Sequence, residues 1–151
     1  MCAALSRQHP RDFFDIQKLF EKQGITEAIR RAFVVYLVCS PRPIHELLQP
    51  NLIVLENIYE NEFVNMTEVP VSLESLLYTR ELLIQTVNQS LSDSERDFLI
   101  SVKKGEPDYA LMPFKDLDIF PALRWKLINI RKMHKDKHTA MLHKLVSVLN
   151  V

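Results

Sequence analysis

The chain contains little glycine and little cysteine, and each shortage excludes a class of site. Only two of its 151 residues are glycine, Gly24 and Gly105. The sequence therefore has neither the G-x-x-x-x-G-K-[ST] phosphate loop nor the G-x-G-x-x-G dinucleotide turn. Its two cysteines, Cys2 and Cys39, are too few for a disulfide framework and lack the paired spacing of a zinc site. Nucleotide chemistry would have to take its phosphate cradle from elsewhere.

Long apolar runs and leader segments are also missing. No apolar run approaches the ~20 residues of a membrane span, and the first residues do not resemble a signal peptide. Hydrophobic residues make up 47% of the chain and charged residues 25%, which is typical of an ordinary globular protein. We therefore expect one domain over residues 1–151, located in the cytoplasm, with no membrane partner.

Apolar residues at helical spacing predict an all-α domain of about seven helices. Ser92 and Glu95 have the spacing of a capping box at a helix start, and residues 105–120, which contain Pro107 and Pro113, form the longest irregular segment. A brief strand at Ile53 and Val54 stays an alternative. The predicted helices cover 10–23, 26–40, 44–48, 52–66, 72–89, 93–104, a segment that begins at Pro121, and 136–149.

The formal net charge is zero, but the end of the chain is basic. Residues 1–122 contain 12 Lys and Arg against 18 Asp and Glu, whereas residues 123–151 contain seven against the single Asp136. Four of these cations, with Trp125 among them, are candidates for docking a phosphate backbone: Arg124, Lys126, Arg131 and Lys132. The alternative is that they only solvate the outer face of a helix that packs through Leu123 and Leu127.

The first helix begins with a dense set of charges. Asp12 and Asp15 lie three residues apart on one predicted helix face, and Arg7 and Arg11 precede them. Paired carboxylates can accept a proton or hold a divalent ion, and arginine can clamp a phosphate. The alternative is ordinary surface pairing, since residues three and four apart on a helix often form ion pairs.

No metal site is predicted. His134 and His138 stand one helical turn apart, but no third ligand follows at a recognised spacing. Cys39 ends an apolar helix and is expected to belong to the core rather than to act as a nucleophile.

Several segments together resemble the AbiEii/AbiGii family of abortive-infection toxins. The run Arg7-x-x-x-Arg11-Asp12-x-x-Asp15, preceded by Cys2-Ala3-Ala4-Leu5, is similar to the third sequence motif of that family. The similarity continues through Arg42-Pro43-Ile44-His45-Glu46-Leu47-Leu48, Asn61-Glu62-Phe63, Glu95-Arg96-Asp97-Phe98-Leu99, Gly105-Glu106-Pro107 and Pro121-Ala122-Leu123-Arg124-Trp125-Lys126-Leu127. The family belongs to the polymerase β-like nucleotidyltransferases, so the resemblance implies nucleotide transfer from a nucleoside triphosphate, for some members to tRNA ends.

The resemblance also implies roles and partners. Asp12 or Asp15 would be the acidic catalytic member of the motif, with Arg7 and Arg11 as its supporting basic residues. Family members begin with an α/β domain that carries a glycine-rich motif and a metal-binding aspartate pair, and neither is found here. We therefore expect a C-terminal portion that is inactive alone and binds no cofactor by itself, while a full-length parent uses Mg²⁺ and a nucleoside triphosphate.

Three kinds of partner follow from this interpretation. They are an N-terminal nucleotidyltransferase domain or antitoxin, a tRNA or other RNA acceptor, and a second copy of the chain in a homodimer. The alternative function is a stand-alone helical interaction module, or a self-associating remnant, whose apolar surface was once covered by the missing domain.

Overall fold

The computed structural model describes residues 1–151 and contains nine α-helices, two short 3₁₀ turns and no strand. The all-α prediction is confirmed. The helices are α1 (Cys2–Arg7), α2 (Pro10–Lys22), α3 (Glu27–Cys39), α4 (Ile44–Leu48), α5 (Glu56–Glu62), α6 (Leu73–Ser90), α7 (Asp93–Lys104), α8 (Pro121–Arg131) and α9 (Lys135–Leu149). None of them is both long and apolar enough to cross a membrane.

Short-range sequence signals determine where most helices begin and end. The hydroxyl of Thr26 accepts a hydrogen bond from the Ile29 N–H at the start of α3, and Ser72 caps α6 in the same way. The predicted capping box is present: Ser92 accepts from Glu95 N–H, and the Glu95 carboxylate accepts from Ser92 N–H at 2.9 Å. Gly105 ends α7 with a φ of 90°, a left-handed conformation that suits glycine.

The segment around Ile53 differs from the predicted helix over 52–66. Only Glu56–Glu62 is helical, and Leu52–Val54 is irregular chain rather than a strand. The backbone of Ile53 is bonded to distant side chains: its N–H donates to Gln8 Oε1 at 3.3 Å, and its carbonyl accepts from Arg80 at 2.8 Å. Because these groups are already used, they cannot join helical hydrogen bonds.

The core lies where α3 meets α7 and α8, with α2 packed on α6 beside it. Phe13 and Phe98 are fully buried, and α3 contributes Leu37 and Val38 to the same cluster. This face of α3 is therefore buried, but Tyr36 on its other face is 68% exposed. This exposed face of α3 adjoins the N-terminal segment in which the charged residues lie.

Candidate functional site

A tight turn between α1 and α2 brings two of the predicted site residues together. Gln8 adopts a left-handed conformation after α1, and His9 Nδ1 accepts a hydrogen bond from the Arg11 N–H at the start of α2. Pro10 follows as the first residue of α2, a position where its missing N–H costs nothing. The turn places Arg7 Nη2 at 2.6 Å from Asp12 Oδ1.

Asp12 is the more enclosed of the two predicted carboxylates. Its side chain is 14% exposed, whereas that of its partner Arg7 is mainly in solvent. Oδ1 accepts from Arg7, but Oδ2 is buried and has no hydrogen-bond partner. Buried polar atoms in folded proteins are nearly always satisfied. One oxygen of Asp12 is therefore left without a hydrogen-bond partner, in a position closed to solvent.

Arg11 and Asp15 do not join this pair. The Arg11 guanidinium donates to the carbonyl of Glu62 at 3.3 Å, and His9 Nε2 lies 3.1 Å from the Glu62 carboxylate. Arg11 and His9 thus attach the end of α5 to the start of α2. Asp15 is exposed on α2 and makes no ion pair or side-chain hydrogen bond. Of the four predicted residues, Arg7 and Asp12 thus form an ion pair. Arg11 binds the end of α5, and Asp15 is a carboxylate in solvent.

An apolar groove lies beside the Arg7–Asp12 pair. It has a volume of about 390 Å³ and is formed by the start of α1 and the exposed face of α3, with Ala3, Ile29 and Tyr36 among its walls. A wider depression that includes Ser6 and Arg7 continues from its edge. Arg7 therefore stands at the border between an apolar surface and solvent.

Both cysteines lie near this groove and neither is activated. Burial raises the pKa of the Cys2 thiol to about 11 and also raises the pKa of the Cys39 thiol. Both are therefore protonated at neutral pH and are poor nucleophiles.

Lys126 differs from the expectation that it faces an acceptor. It is only 8% exposed. Its ammonium donates to the carbonyls of Leu37, Ser40 and Arg42 at 3.1, 2.8 and 3.0 Å. All three of its hydrogens are thus engaged at the end of α3 and in the segment after it. The structure uses Lys126 to attach α8 to α3.

The other three cations of the predicted docking set are exposed on or just after α8. Arg124 Nε donates to the Asp118 carbonyl at 2.7 Å, and Arg131 donates twice to the Gly105 carbonyl. Lys132 is exposed and has no ion-pair partner. Trp125, which is 55% exposed, lies between them. A basic and aromatic surface exists at α8, formed without Lys126.

Sequence reasoning missed several buried polar residues, among them Gln8, Arg80 and Lys103. Gln8 and Arg80 form the network around Ile53, and Lys103 near the end of α7 is 8% exposed with no hydrogen-bond partner for its ammonium. A signal for Lys103 was available, because it follows Leu99 by four residues and therefore lies on the apolar stripe of α7. Its charge alone suggested a solvated position.

His134 and His138 contact different groups and do not form a metal site with each other. His138 lies 2.8 Å from the Lys103 carbonyl, and His134 is paired loosely with Asp136 at 3.6 Å. No group of three or more His, Cys, Asp or Glu side chains is placed so that it could hold a metal ion.

Comparison with known protein families identifies a match over most of the chain. The family model described as "Nucleotidyl transferase AbiEii toxin, Type IV TA system" matches residues 1–129. No curated protein and no solved structure matches the chain. The matched residues include Arg7, Asp12 and most of α8, and they end before α9.

Proposed function

Because the chain belongs to the AbiEii nucleotidyl transferase toxin family, we propose that it is the helical C-terminal portion of such an enzyme. In this proposal the turn between α1 and α2 forms one wall of the active site, and the exposed basic surface of α8 docks an RNA acceptor. The chain is inactive until a catalytic α/β domain packs against it. The single observation that carries the proposal is the Arg7–Asp12 pair, with one carboxylate oxygen unpartnered, at the edge of an apolar groove.

Asp12 rather than Asp15 is the proposed acidic member of the site. A carboxylate that is enclosed, oriented by an arginine and left with one unpartnered oxygen is already held in place for a substrate. Asp15 has none of these features. Arg7 would then contact phosphate oxygens in the assembled enzyme, because its guanidinium is largely exposed and can form paired hydrogen bonds with an anion.

The chain's own side chains do not fit a Mg²⁺ site. Only one oxygen of Asp12 lacks a partner, and no cluster of three ligand-type residues surrounds it. Mg²⁺ prefers octahedral oxygen coordination. We therefore assign the metal and the triphosphate cradle to the catalytic domain, and to this chain only positioning of substrate and acceptor.

The proposal is tested by replacing Asp12 in the full reading frame, including any in-frame coding sequence upstream of Met1. Asp12→Asn is expected to lower transfer of labelled nucleotide to RNA about tenfold or more, because it removes the charge that the site orients. Asp15→Asn is the matched control and is expected to keep most of the activity. Equal losses in the two variants, or an unchanged Asp12→Asn enzyme, would contradict the assignment. Full activity of the isolated 151-residue chain would contradict the need for a second domain.

The alternative function, an interaction module that associates with itself, is favoured by the same apolar groove. Its walls are entirely hydrophobic, and Tyr36 stands exposed over it. Exposed apolar surfaces of this kind commonly mark protein interfaces. An antitoxin is a second candidate for this groove, since the family description names a toxin–antitoxin system.

Sedimentation of the isolated chain separates these occupants. We expect its average mass to rise with concentration, and Tyr36→Glu to restore the monomer, because the charge would be placed in the apolar contact. Tyr78→Glu is the control, since Tyr78 is about as exposed but lies on α6, away from the groove. Dimers that persist when the catalytic domain is added would favour the interaction module. A monomer at every concentration would exclude self-association.

A further inference from the structure

A second cavity, away from the Arg7–Asp12 pair, is lined by cations and apolar side chains but by no carboxylate. We call it the basic cavity. It has a volume of about 270 Å³ and lies between the start of α4, the end of α7, α8 and α9. His45, Lys103 and Lys126 line it together with Ile44, Met141 and Leu145.

Of the two lysines in the basic cavity, Lys103 is the one without a partner, and the guanidinium of Arg42, which also lines the cavity, has none either. The ammonium of Lys126 is fully used by three carbonyls. Lys103 as a residue is also 8% exposed, but its ammonium keeps contact with solvent, donates no hydrogen bond and forms no ion pair. Its ammonium reaches solvent and no group of the chain neutralises it, so it can form a charge-assisted hydrogen bond. An anionic group from outside the chain would accept that bond.

The surroundings of Lys103 favour an anion further. Burial lowers the pKa of Lys103, and Lys137 lowers it as well. Burial also lowers the pKa of His45; Glu46 opposes that shift, while Lys144 and Lys103 add to it. Apart from Glu46 on the outer side of α4, the charged groups that act on this cavity are positive.

The remaining walls suit a flat apolar group attached to the anion. Trp125 lines the cavity and is 55% exposed, so part of its ring is open to a stacking partner. Aromatic side chains stack on nucleobases of any sequence. Asn129, one turn further along α8, offers both a donor and an acceptor to a base edge. A volume slightly below the usual ~300–1,000 Å³ range of ligand pockets suits a single nucleotide rather than a dinucleotide.

We propose that the basic cavity binds one nucleotide unit, either free or at the end of an RNA strand, with Lys103 on its phosphate and Trp125 against its base. The choice of a nucleotide over another small anion rests on the proposed function. The existence of the cavity and the lack of a partner for Lys103 are observations that do not depend on the proposed function.

Trp125 is the only tryptophan of the chain, so its fluorescence reports binding directly. Titrating the 151-residue chain with AMP is expected to quench this fluorescence, and adenosine should bind about tenfold more weakly because it lacks the charged acceptor. Lys103→Met should weaken AMP binding by a similar factor, while Lys104→Met, an exposed neighbour on α7, should leave it unchanged. Lys103→Arg keeps the charge and should retain binding, which controls for a folding defect in Lys103→Met.

Equal binding of AMP and adenosine, or equal affinity in Lys103→Met and wild-type protein, would overturn the proposal. Absence of quenching by AMP would overturn it too. Competition with a short single-stranded RNA shows whether the bound nucleotide is free or belongs to an RNA strand. Displacement of AMP by the RNA indicates a strand end, and failure to displace AMP indicates a free nucleotide. Because these measurements need neither the catalytic domain nor Asp12, failure here leaves the proposed function intact. Likewise, if Asp12→Asn left the transferase activity unchanged, the proposal that the basic cavity binds a nucleotide would be unaffected.

Discussion

Replacing Glu95 by alanine is expected to lower the free energy of unfolding by about 3 kcal/mol. Glu95 is 3% exposed, and its two carboxylate oxygens accept from Arg30 Nε at 3.1 and 2.9 Å. The same carboxylate completes the capping box through Ser92 N–H. One side chain thus joins α3 to α7 and starts α7. Its removal leaves the partly buried guanidinium of Arg30 without hydrogen bonds and with only a distant, exposed carboxylate, which costs more than the loss of a surface ion pair.

Urea unfolding followed by circular dichroism measures this change, and Glu27→Ala provides the control. Glu27 is also an acidic partner of Arg30, at 4.0 Å, but its side chain is mostly in solvent. Surface pairs of that kind contribute less than about 1 kcal/mol. Arg30→Ala should destabilise nearly as much as Glu95→Ala, and the double variant should cost less than the sum of the two. Equal effects of Glu95→Ala and Glu27→Ala would show that the buried pair is not a main link between α3 and α7.

Helix limits were predictable where the signal lies within a few residues of the helix end. The capping box of Ser92 and Glu95 and the glycine stop at Gly105 are both of this kind. The irregular chain at Ile53 was not predictable in the same way. Its backbone partners, Gln8 and Arg80, are 45 and 27 residues away in sequence. Nothing near Ile53 indicates that these contacts replace helical hydrogen bonds.

The candidate site shows the same division. Spacing placed Asp12 and Asp15 on one face of α2, but it could not rank them, because the difference comes from the left-handed turn at Gln8 that brings Arg7 back to Asp12. Lys126 was expected on the exposed surface of α8, and it is buried. It lies between Leu123 and Ile130 at helical spacing, on the buried side of α8, yet its charge suggested solvent. Periodicity alone would have placed it correctly, and a charge count could not.

Lys126 leads to the second large effect, a dependence of stability on pH. Burial lowers the pKa of Lys126 from 10.5 to about 8, with Lys103 lowering it further and Cys39 and Cys2 opposing the shift. Between these two pH values the folded chain binds fewer protons than the unfolded chain. The free energy of unfolding therefore gains from Lys126 as the pH rises from about 8 to about 10.5, by at most about 1.4 kcal/mol per pH unit.

The measurement compares wild type with Lys126→Met by urea unfolding across this range, so that titration of other groups cancels. The stability difference should move in favour of wild type as the pH rises. Lys132→Met, an exposed lysine just after α8, should show no such trend. A difference between wild type and Lys126→Met that stays constant from pH 8 to 10.5 would contradict the burial of this amine. Lys126→Met also distinguishes two roles of Lys126 at neutral pH. If Lys126 docks RNA, the substitution weakens RNA binding without changing the free energy of unfolding. If Lys126 attaches α8 to α3, the substitution lowers the free energy of unfolding.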